Sequence, residues 1–235
     1  MLADGGGDGG LLGAGGEAVG GVFDVAAGKD GSVVEEEGSA YSEVAVGGVG
    51  VIGDGDGALL QVRNSLSSDS VAAAIALLAG ARRIEFYGAG GSGIAALDIQ
   101  HKFFRLGVPS VAYSDPHTFL MSATLLGEGD VVVAISNTGR TRDIVDAVRS
   151  ALASGAKVIA ITHGNSPLAR LATVGLFANV DEDTDIFSPM TSRVSHLAIG
   201  DILAVGVALS RGPELVEKLA QAKEVIDRRR IDPRS

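Results

Sequence analysis

The chain has 235 residues, enough for one sizeable α/β domain with extra segments, and it has no cysteine, which excludes disulfides and thiolate metal sites. Its start, MLADGGGDGG, lacks the basic region and apolar core of a secretory signal, and no stretch of membrane-spanning length is free of charge. These features predict a soluble, cytoplasmic chain with no membrane partner. The net charge of −10 is an uneven average: residues 1–57 hold eleven acids and one base, Lys29, while the remainder holds eighteen of each. Acidity therefore says nothing about the partner of the folded part.

Residues 1–57 also hold 19 of the 34 glycines, and Gly, Ala, Val, Asp and Glu fill 46 of these 57 positions. No helical or strand period persists there, and glycine this dense costs backbone entropy in any regular element, so the segment is predicted to be disordered. Those five amino acids are the ones whose codons begin with G. A shifted or wrong-strand reading of a GC-rich gene would produce this bias; a natural Gly-rich acidic linker is the alternative.

From Leu59 the pattern changes. LLQVRNSLSSDSVAAAIALLAGARR has apolar residues at helical spacing, with Ser68-Asp69 or Ser70 as N-cap of a second helix and Gly80 as its stop. Short apolar runs then recur at residues 84–87, 110–113, 131–135, 158–161 and 174–180. Helical patterns separate them at 93–106, 117–126, 141–154 and 167–172. Buried strands alternating with helices predict a parallel five-stranded sheet covered on both sides, a three-layer α/β/α sandwich. A closing helix over 192–209 follows. Ser210-Arg211-Gly212-Pro213 stops it, and an amphipathic helix carries Leu215, Leu219, Ala222, Val225 and Ile226 ahead of an arginine run. The division expected is 1–57 as the glycine-rich segment, 58–212 as the folded domain and 213–235 as helix and tail.

In an open parallel sheet, ligands sit beyond the carboxyl ends of the strands. After the first run comes Gly88-Ala89-Gly90-Gly91-Ser92-Gly93, a turn that lets a phosphate approach backbone N–H groups at a helix start, with the Ser92 hydroxyl beside it. The same residues satisfy the dinucleotide pattern G-x-G-x-x-G, and Asp115 sits where a ribose-binding acid belongs. After the third run comes Ser136-Asn137-Thr138-Gly139-Arg140-Thr141. One helix cap needs one such residue, not four, so this turn is read as a phosphate cradle. After the fourth run comes Thr162-His163-Gly164-Asn165-Ser166-Pro167, where Ser166 serves equally well as a helix N-cap or as a ligand contact.

YGAGGSG, VVVAISNTGRT, VIAITHGNSPLA and PMTSRVSHLAIGDILAVGVAL together resemble the SIS (sugar isomerase) domain family, over roughly residues 59–212. They are most similar to the sensor half of RpiR/HexR-type bacterial regulators, and EFYGAGGSGIAALDIQHKFFRLG with AYSDPH points to the HexR branch. The resemblance implies a flavodoxin-like sheet, a homodimer and a phosphorylated sugar acid as effector, expected to be 2-keto-3-deoxy-6-phosphogluconate. It implies ligand contacts from Ser92 and Ser136, with Gly90 and Gly91 in the first turn and Asn137, Thr138, Gly139 and Thr141 completing the second. Arg193, at the start of the closing helix, either pairs with a ligand carboxylate or serves as a surface arginine. DNA binding belongs to a helix-turn-helix of which residues 1–57 show no trace. No cofactor, metal or catalytic residue is assigned.

Two enzymatic readings stand beside the sensor. An SIS isomerase needs a base, usually Glu, to move a proton next to a carbonyl. Glu85, Glu128 and Glu182 are the candidates, and only Glu182, in the loop after the fifth run, falls at the ligand edge. The closing helix offers Ser195 and His196 instead. A nicotinamide-dependent enzyme would need a substrate domain for which the chain has no room. A dimer is expected from residues 198–209 and the amphipathic tail, which carry more apolar surface than one sheet needs to cover.

Overall fold

The computed structural model describes residues 57–179 and 191–229. The expectation for residues 1–57 therefore lies outside the described residues except at Gly57, as do those for Val180 and Glu182. Two helices open the described chain, α1 (Gly57–Ser65) and α2 (Ser68–Ala79). The strands are β1 (Arg83–Gly88), β2 (Ser110–Tyr113), β3 (Asp130–Ser136), β4 (Lys157–Thr162) and β5 (Val174–Phe177). Between them lie α3 (Gly91–Arg105), α4 (Pro116–Ala123), α5 (Arg142–Ala153) and α6 (Pro167–Leu171), and α7 (Thr191–Ser210) and α8 (Pro213–Asp227) follow.

All pairings are parallel and the strand order is β2-β1-β3-β4-β5. Alternate residues of the strands feed two cores. Ile84, Phe86, Val133, Ile135 and Ile161 face α1, α2, α3 and α7, and Tyr87, Val132, Ala134, Val158 and Ala160 face α4, α5 and α6. This is the three-layer sandwich expected, and the near-continuous apolar runs are the signature of strands buried on both faces.

Boundaries moved where caps decide them. Ser67, not Ser68 or Ser70, caps α2, accepting from the Ser70 amide at 3.4 Å. The helix after β2 ends at Ala123 rather than 126. In α7, Ile199, Ile202, Leu203 and Val207 are buried in the domain's own core while Val205 and Leu209 stay exposed, so residues 198–209 are spare apolar surface only in part. The helix is long and apolar enough to cross a membrane, but the four buried residues give that apolarity a role in the core.

β1 also buries a charge that the apolar pattern conceals. Glu85 is fully buried, and its carboxylate accepts hydrogen bonds from Tyr87 Oη (2.5 Å) and Ser122 Oγ (2.8 Å) and pairs with Arg83. A buried carboxylate persists only when its oxygens are satisfied in this way. Burial, together with the Glu85 carboxylate beside it, pushes the Tyr87 phenol well above its ordinary range.

Candidate functional site

The strand order reverses at β1: the chain runs outward to β2, then returns to build β3 on the other side. Ligands in open α/β sheets bind at such a switch point, because the connections leave it in opposite directions and open a crevice. Gly88 of β1 lies in register with Ile135 of β3, so the turns after these two strands stand side by side.

The first turn enters α3 through Gly90, whose φ of 56° is a left-handed conformation suited to glycine. No side chain caps α3. The Ser92 amide donates to the Ala89 carbonyl (3.2 Å), which tightens the turn. The Ser92 side chain is half-buried at the rim.

In the second turn, Ser136 ends β3 almost fully buried, with Oγ 3.2 Å from Thr141 Oγ1. Thr141 holds the N-cap position of α5 in extended backbone, yet its hydroxyl caps nothing in its own helix. The Gly139 amide donates to the Ser136 carbonyl (3.2 Å), and the Arg140 amide donates to Thr138 Oγ1 (3.3 Å). Asn137 is half-buried and Thr138 exposed.

Capping separates these two helices from their neighbours. α2, α4 and α6 carry side-chain caps from Ser67, Asp115 and Ser166, while α3 and α5 carry none. An uncapped N-terminus presents N–H groups and partial positive charge outward. Both such helices start at the switch point.

The third polar turn supports the second from behind. Ser166 is buried, caps α6 by accepting from the Ala169 amide (3.1 Å), and lies 3.3 Å from Thr162 Oγ1. Gly139 sits directly above this pair at φ 61°, and a methyl group there would overlap both hydroxyls. The Asn137 carbonyl accepts from the His163 amide (3.0 Å), and the Gly139 carbonyl from the Leu168 amide (3.2 Å). Thr162 and His163, named in the sequence only as part of a polar turn, are supporting residues. Their signal was position, at the carboxyl end of the strand next to the switch.

Helix packing locates Arg193. Gly200 of α7 rests against Ile99 of α3, and Lys102 pairs with Asp201. Farther along, Arg105 and Leu106 share a crevice with Ala204 and Ala208. Numbers rise together, so α7 runs parallel to α3 and its first turn, with Arg193, starts at the same edge of the sheet. Burial disfavours the Lys102 charge, but the Asp201 and Asp98 carboxylates outweigh it and hold its pKa above the ordinary lysine value.

Asp115 and Glu85 are each held in a structural role, and Glu128 lies apart. Asp115 accepts from the Thr118 amide and hydroxyl, both at 2.8 Å, as the cap of α4; these bonds hold its carboxyl below the usual range. Glu85 is locked in its buried network. Glu128 lies against Gly155, near the start of β4 and away from the switch. Among the described residues no group of three or more His, Asp or Glu side chains forms a metal site.

The SIS domain family profile matches residues 77–206. The chain is 50% identical over 169 residues to a bifunctional protein glk of Burkholderia orbicola (strain AU 1054), covering 71% of this chain and 26% of that protein. It is 42% identical over 171 residues to the HTH-type transcriptional regulator HexR of Escherichia coli (strain K12), covering 73% of this chain and 59% of that one. The chain thus spans less than two thirds of either relative. Among solved structures, the Vibrio vulnificus NanR protein complexed with ManNAc-6P matches with a TM-score of 0.68 at 24% identity, covering 83% of this chain and 70% of that chain. The sugar isomerase domain of an RpiR transcription factor from Sphaerobacter thermophilus matches with a TM-score of 0.63 at 24% identity, covering 70% and 90%. These two likenesses concern the fold.

The seat of Gly139 is directly testable. Gly139→Ala places a side chain at positive φ and against Ser166 and Thr162, and should cost about 1–3 kcal/mol in urea unfolding. An unchanged midpoint would show that the turn is not held in this way.

Proposed function

Because the chain belongs to the SIS domain family, we propose that it is the sensor part of an RpiR/HexR-type transcriptional regulator, holding a phosphorylated sugar acid across the turns after β1 and β3. The observation that carries this reading is the pair of uncapped helix starts at the switch point, flanked by the Ser92, Ser136 and Thr141 hydroxyls. A phosphate ester supplies the acceptor oxygens such a turn lacks. The sugar then lies toward β1 and α3, and Arg193 meets the carboxylate of the acid.

Similarity to HexR favours 2-keto-3-deoxy-6-phosphogluconate as effector, and the NanR structure with ManNAc-6P supports a phosphorylated sugar as the ligand class. A regulator of this kind acts in the cytoplasm. The reading is of a binder rather than an isomerase: the hydroxyls and amides on this edge orient an anion, whereas isomerisation needs a carboxylate base, and among the described candidates Glu85 is locked in its buried network, Asp115 is engaged as the cap of α4 and Glu128 lies near the start of β4, while Glu182 lies outside the described residues.

A second copy of the chain completes the assembly. The outer face of α3 exposes Ile94, Leu97 and Phe104 in a helical stripe, and Val194 and Val205 of α7 are exposed on the helix packed beside it. Contiguous exposed apolar side chains of this kind mark an association surface. Sedimentation at micromolar concentration should give a dimer, and Leu97→Glu with Phe104→Glu should give a folded monomer; a wild-type monomer would contradict the proposal.

Ser136→Ala should weaken 2-keto-3-deoxy-6-phosphogluconate binding by one charge-assisted hydrogen bond, about 1.5–3 kcal/mol, and Ser92→Ala by a similar amount. Titration calorimetry reads both. Wild-type affinity in both variants would sink the assignment of these serines.

A further inference from the structure

Two arginines occupy positions that the physics of an isolated helix disfavours. Arg140 immediately precedes the N-cap of α5 and Arg142 is its first residue. Both are exposed, and neither forms an ion pair with a described residue. Cations are unfavourable at a helix N-terminus, where the peptide dipoles already place partial positive charge. Asp143 is the one acid in the first turn, is itself exposed, and pairs with neither arginine. Thr141, between the two arginines, turns its hydroxyl to Ser136 instead of capping the helix. The turn thus carries two exposed arginines beside an uncapped helix start and two hydroxyls, with Asp143 the one acid in its first turn.

We propose that Arg140 and Arg142 are specificity determinants of the phosphate turn, selecting a doubly charged phosphate ester over singly charged or neutral groups of the same shape. This rests on the reading of the turn as a phosphate cradle and adds which residues recognise the charge. Hydroxyls and amides match tetrahedral oxygens in number and direction, and a sulfate ester satisfies them as a phosphate does. Guanidinium groups add a Coulombic preference for the second negative charge and bidentate geometry for its oxygens. Exposure at the rim leaves that preference open to screening by salt.

The test uses the whole chain and three measurements on wild type, Arg140→Gln/Arg142→Gln, the matching double lysine variant and Ser136→Ala. Calorimetric affinity for 2-keto-3-deoxy-6-phosphogluconate, taken from low to high salt, gives the salt dependence. Competition by glucose 6-phosphate and glucose 6-sulfate gives the charge preference. Thermal unfolding of the unliganded proteins reports on the fold.

The double glutamine variant should lose about tenfold in affinity at low salt, show a flatter salt dependence, and lose most of its preference for phosphate over sulfate. The lysine variant should recover the salt dependence. Ser136→Ala should lose affinity while keeping both the salt dependence and the preference. Unliganded, the double glutamine variant should unfold at an equal or higher temperature, because unfavourable charge has been removed from α5.

Wild-type binding that is indifferent to the glutamine substitutions, in strength, salt dependence and preference, would overturn the inference and leave the cradle standing. A lower unfolding temperature in the glutamine variant would also overturn it, by making the arginines structural. No binding of any of these phosphorylated sugars by the wild type would overturn the cradle and the inference with it.

Discussion

At Gly139 the backbone of the turn after β3 lies against the hydroxyls of Thr162 and Ser166, with no room for a methyl group between them. That contact joins the end of β3 to the end of β4 and the start of α6. Two backbone hydrogen bonds reinforce it, from His163 to Asn137 and from Leu168 to Gly139. With the turn fixed from behind, its forward side is free of structural duty. Thr141 can face Ser136 and leave the first amides of α5 uncapped, because the turn keeps its shape through Gly139 rather than through a cap. Pre-organisation of this kind lowers the ordering cost of binding.

The fold alone does not choose between sensing and catalysis, since one architecture hosts many chemistries. Among the described residues, two acids near β1 and β2 are held in structural roles. The buried carboxylate of Glu85 holds β1 to α4 through Ser122, and Asp115 starts α4. The switch point collects donors: hydroxyls, amides and, on α5 and at the start of α7, arginines. A site rich in donors and held rigidly suits the capture of an anion.

Much of this was legible in the sequence, for identifiable reasons. Continuous apolar runs marked β1, β3 and β4 because both faces of these strands are buried, and the polar turns were visible because only the carboxyl edge of such a sheet admits several Ser, Thr and Asn residues in succession. Ser166 stayed ambiguous because a serine before a proline reads alike as cap and as contact; burial and its bond to the Ala169 amide give it the cap. Glu85 was read only as a possible base, since nothing local announces Ser122, 37 residues away, as its partner. Arg193 could be placed only from the parallel packing of α7 on α3, a relation between distant segments that no local pattern records. The expectation of spare apolar surface on α7 held only in part for the same reason: α2 and α3 cover Ile199, Ile202, Leu203 and Val207 and leave Val205 and Leu209 exposed.

The central claim is that the carboxyl edge of this sheet recognises the phosphate of a sugar acid. The most direct measurement compares unfolding of the protein with 2-keto-3-deoxy-6-phosphogluconate and with the same acid lacking its phosphate. At a hundredfold excess over its dissociation constant, the phosphorylated acid should add about 2.7 kcal/mol of stability, and the unphosphorylated acid at the same concentration should add almost none. Equal stabilisation by the two, or none by either, would contradict the account.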